Sequence, residues 1–193
     1  MLAGIGSHVN IEQGAAKPGT IVVGTDSHLN ILGCVGCFGQ GMGDKDIAYI
    51  FATGRNWFEV PQSMRIVLEG YVAYPVTAKD VTLEVLRRLG SAGALGKVIE
   101  FAGPGAESLS FSGKITLASM ATEMGAVAAF LPVDRRAVRY LRARSGDASR
   151  MSKTRAAAAR AASGRPADAC ASRARSGSPK SGSVAGARRG RAR

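Results

Sequence analysis

The amino-terminal two-thirds of the sequence predicts a layered α/β domain with a mostly parallel sheet. Residues 20–24 form a continuous β-branched run, which is typical of a strand buried on both faces. Residues 45–53 and 78–89 show helical spacing of apolar side chains, and each segment ends at a glycine. Strands and helices alternate along the chain, and this alternation favours α/β layers.

The predicted elements follow from local signals. Asp44 is expected to cap the first helix and Gly54 to end it, and Thr77 and Gly90 should bound the second. Alternating apolar and polar residues predict the strand that follows the first helix. In chain order, the predictions are strand 20–24, helix 45–53, strand 64–71, helix 78–89, strand 98–102, helix 116–124 and strand 127–131.

The net positive charge of the chain comes entirely from its last 60 residues. Residues 1–133 hold 9 Lys and Arg against 11 Asp and Glu, whereas residues 134–193 hold 17 against 3. From residue 145 onward Ala, Arg, Ser and Gly dominate, so there is little apolar burial to offset the entropy of ordering. We therefore predict a domain over residues 1–144 and a disordered, low-complexity basic tail over residues 145–193, with the composition of a frameshifted GC-rich gene.

Cysteine usage and hydropathy favour a cytoplasmic protein. The three cysteines, Cys34, Cys37 and Cys170, are too few and too oddly spaced for a secreted disulfide framework. No stretch reaches the roughly 20 apolar residues that a membrane span needs. Cys34 and Cys37 have a spacing that can bind zinc or iron, but they supply half of a four-ligand site, so we favour packing in the core.

A polar cluster follows the first predicted strand. Asp26, Ser27 and His28 place a carboxylate, a hydroxyl and an imidazole where open α/β sheets usually bind ligands. Neighbouring side chains on an extended strand point to opposite sides, so the chain must turn here for all three to face one ligand. The five glycines of residues 33–43 allow close backbone approach. Taken alone, the cluster is equally compatible with a ligand site and with a capped turn that contains a hydrogen-bonded histidine.

Several motifs follow one another in order along the chain. They are Pro18-Gly19, Val23-Gly24-Thr25-Asp26-Ser27-His28, the glycine-rich residues 33–43, Thr77-Ala78-Lys79-Asp80, Glu100-Phe101-Ala102-Gly103, residues 115–126 and Pro132-Val133-Asp134. Over about residues 4–144, these motifs resemble the family of aconitase and the large subunit of 3-isopropylmalate dehydratase. The resemblance implies part of a three-layer aconitase-type domain. It also implies an iron-sulfur hydro-lyase that removes and re-adds water on a hydroxy-carboxylate with a 4Fe-4S cluster. We favour the 3-isopropylmalate dehydratase of leucine biosynthesis, with aconitate hydratase and homoaconitase as alternatives.

The resemblance also assigns roles to residues of this chain. It implies that Ser27 contacts substrate, and that His28 is oriented by Glu123, which is otherwise a solvated charge on a helix. It implies that Asp26 orients a second histidine, for which His8 is the candidate. The family spacing places that histidine at Ser7, and a one-residue deletion restores His8. Ser119 matches a position near the cluster, where the family commonly has Asn.

The cysteines that hold the cluster in this family lie in segments that match nothing here. Cys170 stands in low-complexity sequence and does not replace them, so we expect no metal ligand and no bound cluster in this chain. The resemblance also implies a partner, a small subunit carrying a swivelling domain. We therefore expect an incomplete and inactive piece of the enzyme.

Two other classes of function stay open. The basic residues 135–193 predict a nucleic-acid-binding arm with steep salt dependence, although no aromatic side chains are interleaved for base stacking. The chain can also be a folded but inert domain, whose exposed apolar surface promotes aggregation.

Overall fold

The computed structural model of the protein describes residues 4–145. The predicted tail beyond its first residue, residues 146–193 of the predicted nucleic-acid-binding arm and Cys170 lie outside these residues. No helix within residues 4–145 is long and apolar enough to cross a membrane.

All strand pairings of the described region are parallel, as the α/β prediction requires, but the strands divide into two sheets. The first sheet pairs β1 (Ile21–Gly24) with β2 (Phe38–Gly41). The second has the order β3 (Gln62–Val67), β4 (Lys97–Ala102), β5 (Ala128–Phe130). Its register places Gln62 opposite Lys97 and Val98 opposite Ala128.

Helices connect and cover these strands. The α-helices are α1 (Gly6–Glu12), α2 (Asp44–Thr53), α3 (Ala78–Leu89), α4 (Pro104–Ser108), α5 (Phe111–Ser119) and α6 (Arg135–Ser145). Two 3-10 helices, Leu29–Val35 and Met120–Met124, complete the described elements.

The α3 helix has the predicted bounds because its signals are local. The Thr77 hydroxyl accepts the N–H of Asp80 at 3.4 Å, and the Asp80 carboxylate accepts the N–H of Thr77 at 2.8 Å. This reciprocal capping box fixes the first turn. Gly90 follows the last turn and donates its N–H to the carbonyl of Leu86.

Other predicted boundaries were wrong. Gly43 rather than Asp44 occupies the cap position of α2, and Asp44 is the first helical residue. The β3 strand ends at Val67 instead of residue 71, because the chain turns at Gly70, whose φ is 74°. The predicted helix 116–124 begins earlier, at Phe111, where the Ser110 hydroxyl caps it, and its last turn is 3-10.

The 3-10 helix Leu29–Val35 lies at the centre of the molecule. All seven of its residues are buried, and it packs against α1, α5, β2 and β5. Gly33 lies directly on β5: a Cβ there would overlap the carbonyl oxygen of Ala129, and the Gly33 carbonyl accepts the N–H of Leu131 at 3.3 Å. The glycine-rich segment therefore provides the close backbone approach that the sequence predicted.

An ion pair between the buried Lys114 and the partly exposed Asp134 joins α5 to the start of α6. The Lys114 side chain is 0% exposed, and its ammonium donates to the Asp134 carboxylate at 3.0 Å and to the carbonyl of Pro132 at 2.9 Å. The other oxygen of Asp134 accepts the N–H groups of Arg136 and Ala137, each at 2.9 Å. Asp134 thus caps α6 and compensates a buried charge at the same time.

The α2 helix contrasts with this core. None of its residues is buried, and Phe51 is 85% exposed. The following loop leaves Trp57 80% exposed. These side chains form the exposed apolar surface on which the aggregation hypothesis depends.

We predict that Gly33→Ala destabilises the chain by about 1–3 kcal/mol, because the added methyl group must displace the backbone of β5. Urea unfolding of the full chain measures the change. Gly6→Ala is the matched control, since nothing lies within 4 Å of a Cβ at Gly6. Equal unfolding midpoints for both variants would contradict the close contact.

We also predict that the stabilising effect of Asp134 disappears in acid. Burial of its carboxyl would by itself raise the pKa, but the N–H of Ala137 and the Lys114 ammonium outweigh burial and hold the pKa below its ordinary value. A carboxyl with a lowered folded pKa stabilises above its unfolded pKa, and this stability is lost as the pH falls through the folded pKa. The difference in unfolding free energy between the parent chain and Asp134→Asn should therefore be constant above about pH 5 and shrink below about pH 4. A difference that persists to about pH 2 would refute this prediction.

Candidate active site

The chain turns immediately after β1, and this turn brings the polar cluster to one place. One carboxylate oxygen of Asp26 accepts the N–H of His28 at 2.9 Å, and the carbonyl of Asp26 accepts the N–H of Leu29 at 3.1 Å. An Asp side chain that bonds the backbone two residues onward is a typical turn former. Gly41 lies beneath the turn, where a Cβ would come within 2.6 Å of the carbonyl oxygen of Asp26.

His28 lies between a hydroxyl and a carboxylate. Its Nδ1 is 3.0 Å from Oγ of Ser27, and its Nε2 is 3.4 Å from Oε1 of Glu123. The latter distance is longer than that of a typical hydrogen bond, and the two side chains are 44% and 51% exposed. The structure thus brings three of the sequence-predicted site residues together, although Glu123 is 95 residues from His28 in sequence.

The chemistry of the partners assigns the proton on the neutral ring. An ionised carboxylate only accepts hydrogen bonds, so a hydrogen bond between His28 and Glu123 requires the ring hydrogen on Nε2. Nδ1 then accepts the hydroxyl proton of Ser27. This arrangement orients the ring and leaves Nδ1 as its basic nitrogen.

Two residues that the sequence did not single out connect the segments carrying His28 and Glu123. The Thr122 hydroxyl donates to the carbonyl oxygen of Ser27 at 3.0 Å. The Asn30 side-chain amide donates to the same hydroxyl at 2.7 Å. Thr122 lies within the family motif of residues 115–126, but the motif assigns it no role, and Asn30 lies outside the quoted motifs.

The second predicted pairing is not formed in the structure. His8 is exposed on α1, whereas its neighbour Ser7 is 2% exposed, and no hydrogen bond joins His8 to Asp26. The second carboxylate oxygen of Asp26 is buried and has no hydrogen-bond partner within residues 4–145. The roles assigned to His8 and Asp26 therefore stay predictions.

Ser119 is the last residue of α5 and is half-buried. The 3-10 helix that carries Glu123 begins at the next residue, Met120. Ser119 thus lies on the segment that leads into the site. Its predicted place near a cluster stays a prediction.

Cys34 and Cys37 lie in the core, as predicted. Both are 0% exposed, and burial raises the pKa of the Cys34 thiol to about 12. Burial also raises the pKa of Cys37, although the Thr20 hydroxyl donates to its sulfur at 3.3 Å. Metal ligands must be thiolates, so these protonated thiols are poor ligands.

The described residues do not fit the cluster that the family resemblance implies. Nowhere in residues 4–145 do three His, Cys, Asp or Glu side chains converge in a way that would hold a metal ion. The polar side chains that these residues do bring together are Ser27, His28 and Glu123.

The chain matches the family model described as the aconitase family (aconitate hydratase) over residues 1–172. It therefore belongs to the aconitase family. The match extends beyond residue 144, where the resemblance inferred from the motifs ends.

Curated relatives of this chain carry two kinds of name. It is 43% identical over 144 residues to a probable methanogen homoaconitase large subunit from Methanothermobacter thermautotrophicus, covering 75% of this chain and 34% of that protein. It is 42% identical over 136 residues to 3-isopropylmalate dehydratase large subunit 1 from Thermotoga maritima, covering 70% of this chain and 32% of that protein. A second probable methanogen homoaconitase large subunit, from Methanosarcina mazei, is 44% identical over 142 residues, which are 74% of this chain and 36% of that protein. The chain thus spans about a third of the length of these relatives.

Proposed function

We propose that this chain forms part of a hydro-lyase of the 3-isopropylmalate dehydratase large-subunit type, with His28 as its acid–base group. The observation that carries the proposal is the position of His28, between the Ser27 hydroxyl and the Glu123 carboxylate. A carboxylate beside one ring nitrogen fixes the tautomer and stabilises the protonated ring. Membership of the aconitase family supports a hydro-lyase reaction. We assign the proton transfer to His28, with Ser27 and Glu123 as its hydrogen-bond partners.

Dehydration of a hydroxy-carboxylate needs a group that exchanges a proton and donors that hold the substrate carboxylates. In this site a proton moves at Nδ1 of His28, while Nε2 keeps its hydrogen toward Glu123. Protonation of Nδ1 reverses its hydrogen bond with Ser27, because the ring then donates and the Ser27 oxygen accepts. The Ser27 hydroxyl proton is then free to bind a substrate carboxylate. Proton uptake and anion binding are thus coupled at one pair of residues.

The family's 4Fe-4S cluster would act as a Lewis acid on the departing hydroxyl when bound. We assign its ligands to parts of the protein outside residues 4–145, because the described thiols are buried and protonated. The name "large subunit" of the relatives supports a small-subunit partner. Because residues 4–145 hold no group of three potential cluster ligands, we expect this segment on its own to show no turnover.

Isopropylmalate is the proposed substrate, and homocitrate and citrate are the two alternatives. The relatives from Thermotoga maritima and Nitratiruptor are named 3-isopropylmalate dehydratase large subunits, which supports isopropylmalate and a place in leucine biosynthesis. The homoaconitase names occur at similar identity and support homocitrate. The family description supports citrate as a third substrate to test. All three are hydroxy-carboxylates, so the same His28 site serves each of them.

A chimera tests the proposal. Residues 4–144 would replace the matched segment of the Thermotoga maritima large subunit, and turnover would be measured on isopropylmalate, homocitrate and citrate after anaerobic cluster reconstitution. We predict that the chimera is active, and that His28→Gln and Glu123→Gln each lower kcat by about 100-fold or more. Glu59→Gln is the matched control, since Glu59 lies in an exposed loop outside the site.

Iron-sulfur absorbance serves as the folding control for each chimera. Full turnover in Glu123→Gln with a normal cluster spectrum would overturn the assigned role of Glu123. An inactive parent chimera that still carries its cluster would count against the proposed activity of this segment. The substrate that the chimera turns over fastest decides among 3-isopropylmalate dehydratase, homoaconitase and aconitate hydratase.

A further inference from the structure

The Ser27–His28 peptide group is held on both of its sides. Its N–H donates to the Asp26 carboxylate at 2.9 Å, and its carbonyl accepts the Thr122 hydroxyl at 3.0 Å. A peptide group is planar, so fixing its N–H and its carbonyl fixes the direction in which the Cα of His28 leaves it. By binding this carbonyl, Thr122 helps to fix the position of the Cα of His28.

Thr122 also adjoins the other member of the acid–base pair. It precedes Glu123 in the 3-10 helix Met120–Met124, so one residue is covalently next to Glu123 and hydrogen-bonded to the peptide of His28. The His28–Glu123 contact itself joins two half-exposed side chains at 3.4 Å. Exposed pairs of this kind contribute little to stability, so this contact does not by itself hold the two segments in place.

Asn30 sets the direction of the Thr122 hydroxyl. Its side-chain NH₂ only donates, so the hydroxyl must accept from it and direct its single proton elsewhere, to the carbonyl of Ser27. Asn30 is 2% exposed, and water does not compete freely for this bond. The order of donation is thus Asn30 to Thr122 to Ser27.

We infer that Thr122 is a positioning residue that sets the separation of His28 from Glu123, and that Asn30 orients its hydroxyl. This inference rests on the proposed function, because it gives a role to residues that support the His28 acid–base site. It adds to that function a role for the hydrogen bond between Thr122 and the carbonyl of Ser27, which are 95 residues apart in the sequence. This bond fixes the geometry of the site.

The experiment uses the full 193-residue chain labelled with ¹⁵N. The chain contains two histidines, so the ring nitrogens of His28 and His8 can be followed by NMR without further mutation, and exposed His8 serves as an internal reference. Spectra would be taken at about pH 9, where imidazoles are neutral and the tautomer is read from the nitrogen shifts. Glu123→Ala defines the spectrum of His28 without its partner.

Thr122→Val removes the hydroxyl and keeps the shape of the side chain, whereas Thr122→Ser keeps the hydroxyl. We expect Thr122→Val to move the His28 ring shifts at least half of the way to the Glu123→Ala values, and Thr122→Ser to keep the parent spectrum. His8 should not respond to either variant. A merely structural Thr122 would change the urea midpoint but not the ring shifts of the folded chain. Thr122→Ala provides a second variant without the hydroxyl if Thr122→Val does not fold.

Failure of the positioning inference and failure of the proposed function give different spectra. If Glu123→Ala changes His28 but Thr122→Val and Thr122→Ala do not, the positioning inference is overturned and the proposed acid–base pair stands. If Glu123→Ala leaves His28 unchanged, the pair itself is absent. The proposed function then loses its supporting observation, and the positioning inference is overturned with it.

Discussion

The contact between Gly33 and the backbone of β5 is the constraint on which the rest of the structure depends. At Gly33, the 3-10 helix Leu29–Val35 lies against the second sheet with no side chain between the two backbones. The same helix follows directly from the His28 turn and packs against α5, which leads into the segment carrying Glu123. Close backbone packing in the core therefore determines where two surface side chains meet.

The site is built by turns on a rigid support. Gly41 lets β2 lie against the Asp26 turn, and Asp26 fixes the N–H of His28. The Lys114–Asp134 ion pair ties α5 to the following helix without lying in the site. These contacts restrict the backbone and leave Ser27, His28 and Glu123 accessible to a ligand. Such a division between a fixed support and exposed polar groups is expected of a functional site.

The sequence predicts those parts of the fold whose signals are local. The α3 helix has its predicted bounds because Thr77, Asp80 and Gly90 act within a few residues of one another. The 3-10 helix and β2 could not be predicted, since a glycine-rich segment has no periodicity and its conformation depends on β5, nearly 100 residues later. The His28–Glu123 contact was expected from family motifs, whereas the Asn30–Thr122 contact has no local signal. Cys34 and Cys37 have a spacing that can bind a metal, yet both lie in the core, as the sequence analysis predicted.

The fold holds the imidazole of His28 against the carboxylate of Glu123. The most direct measurement of this contact is a nuclear Overhauser effect between the ring protons of His28 and the side-chain methylene protons of Glu123 in the full chain. We expect a cross-peak in the absence of any substrate, because Nε2 of His28 and Oε1 of Glu123 already lie 3.4 Å apart. A folded chain in which this cross-peak is missing would contradict the contact.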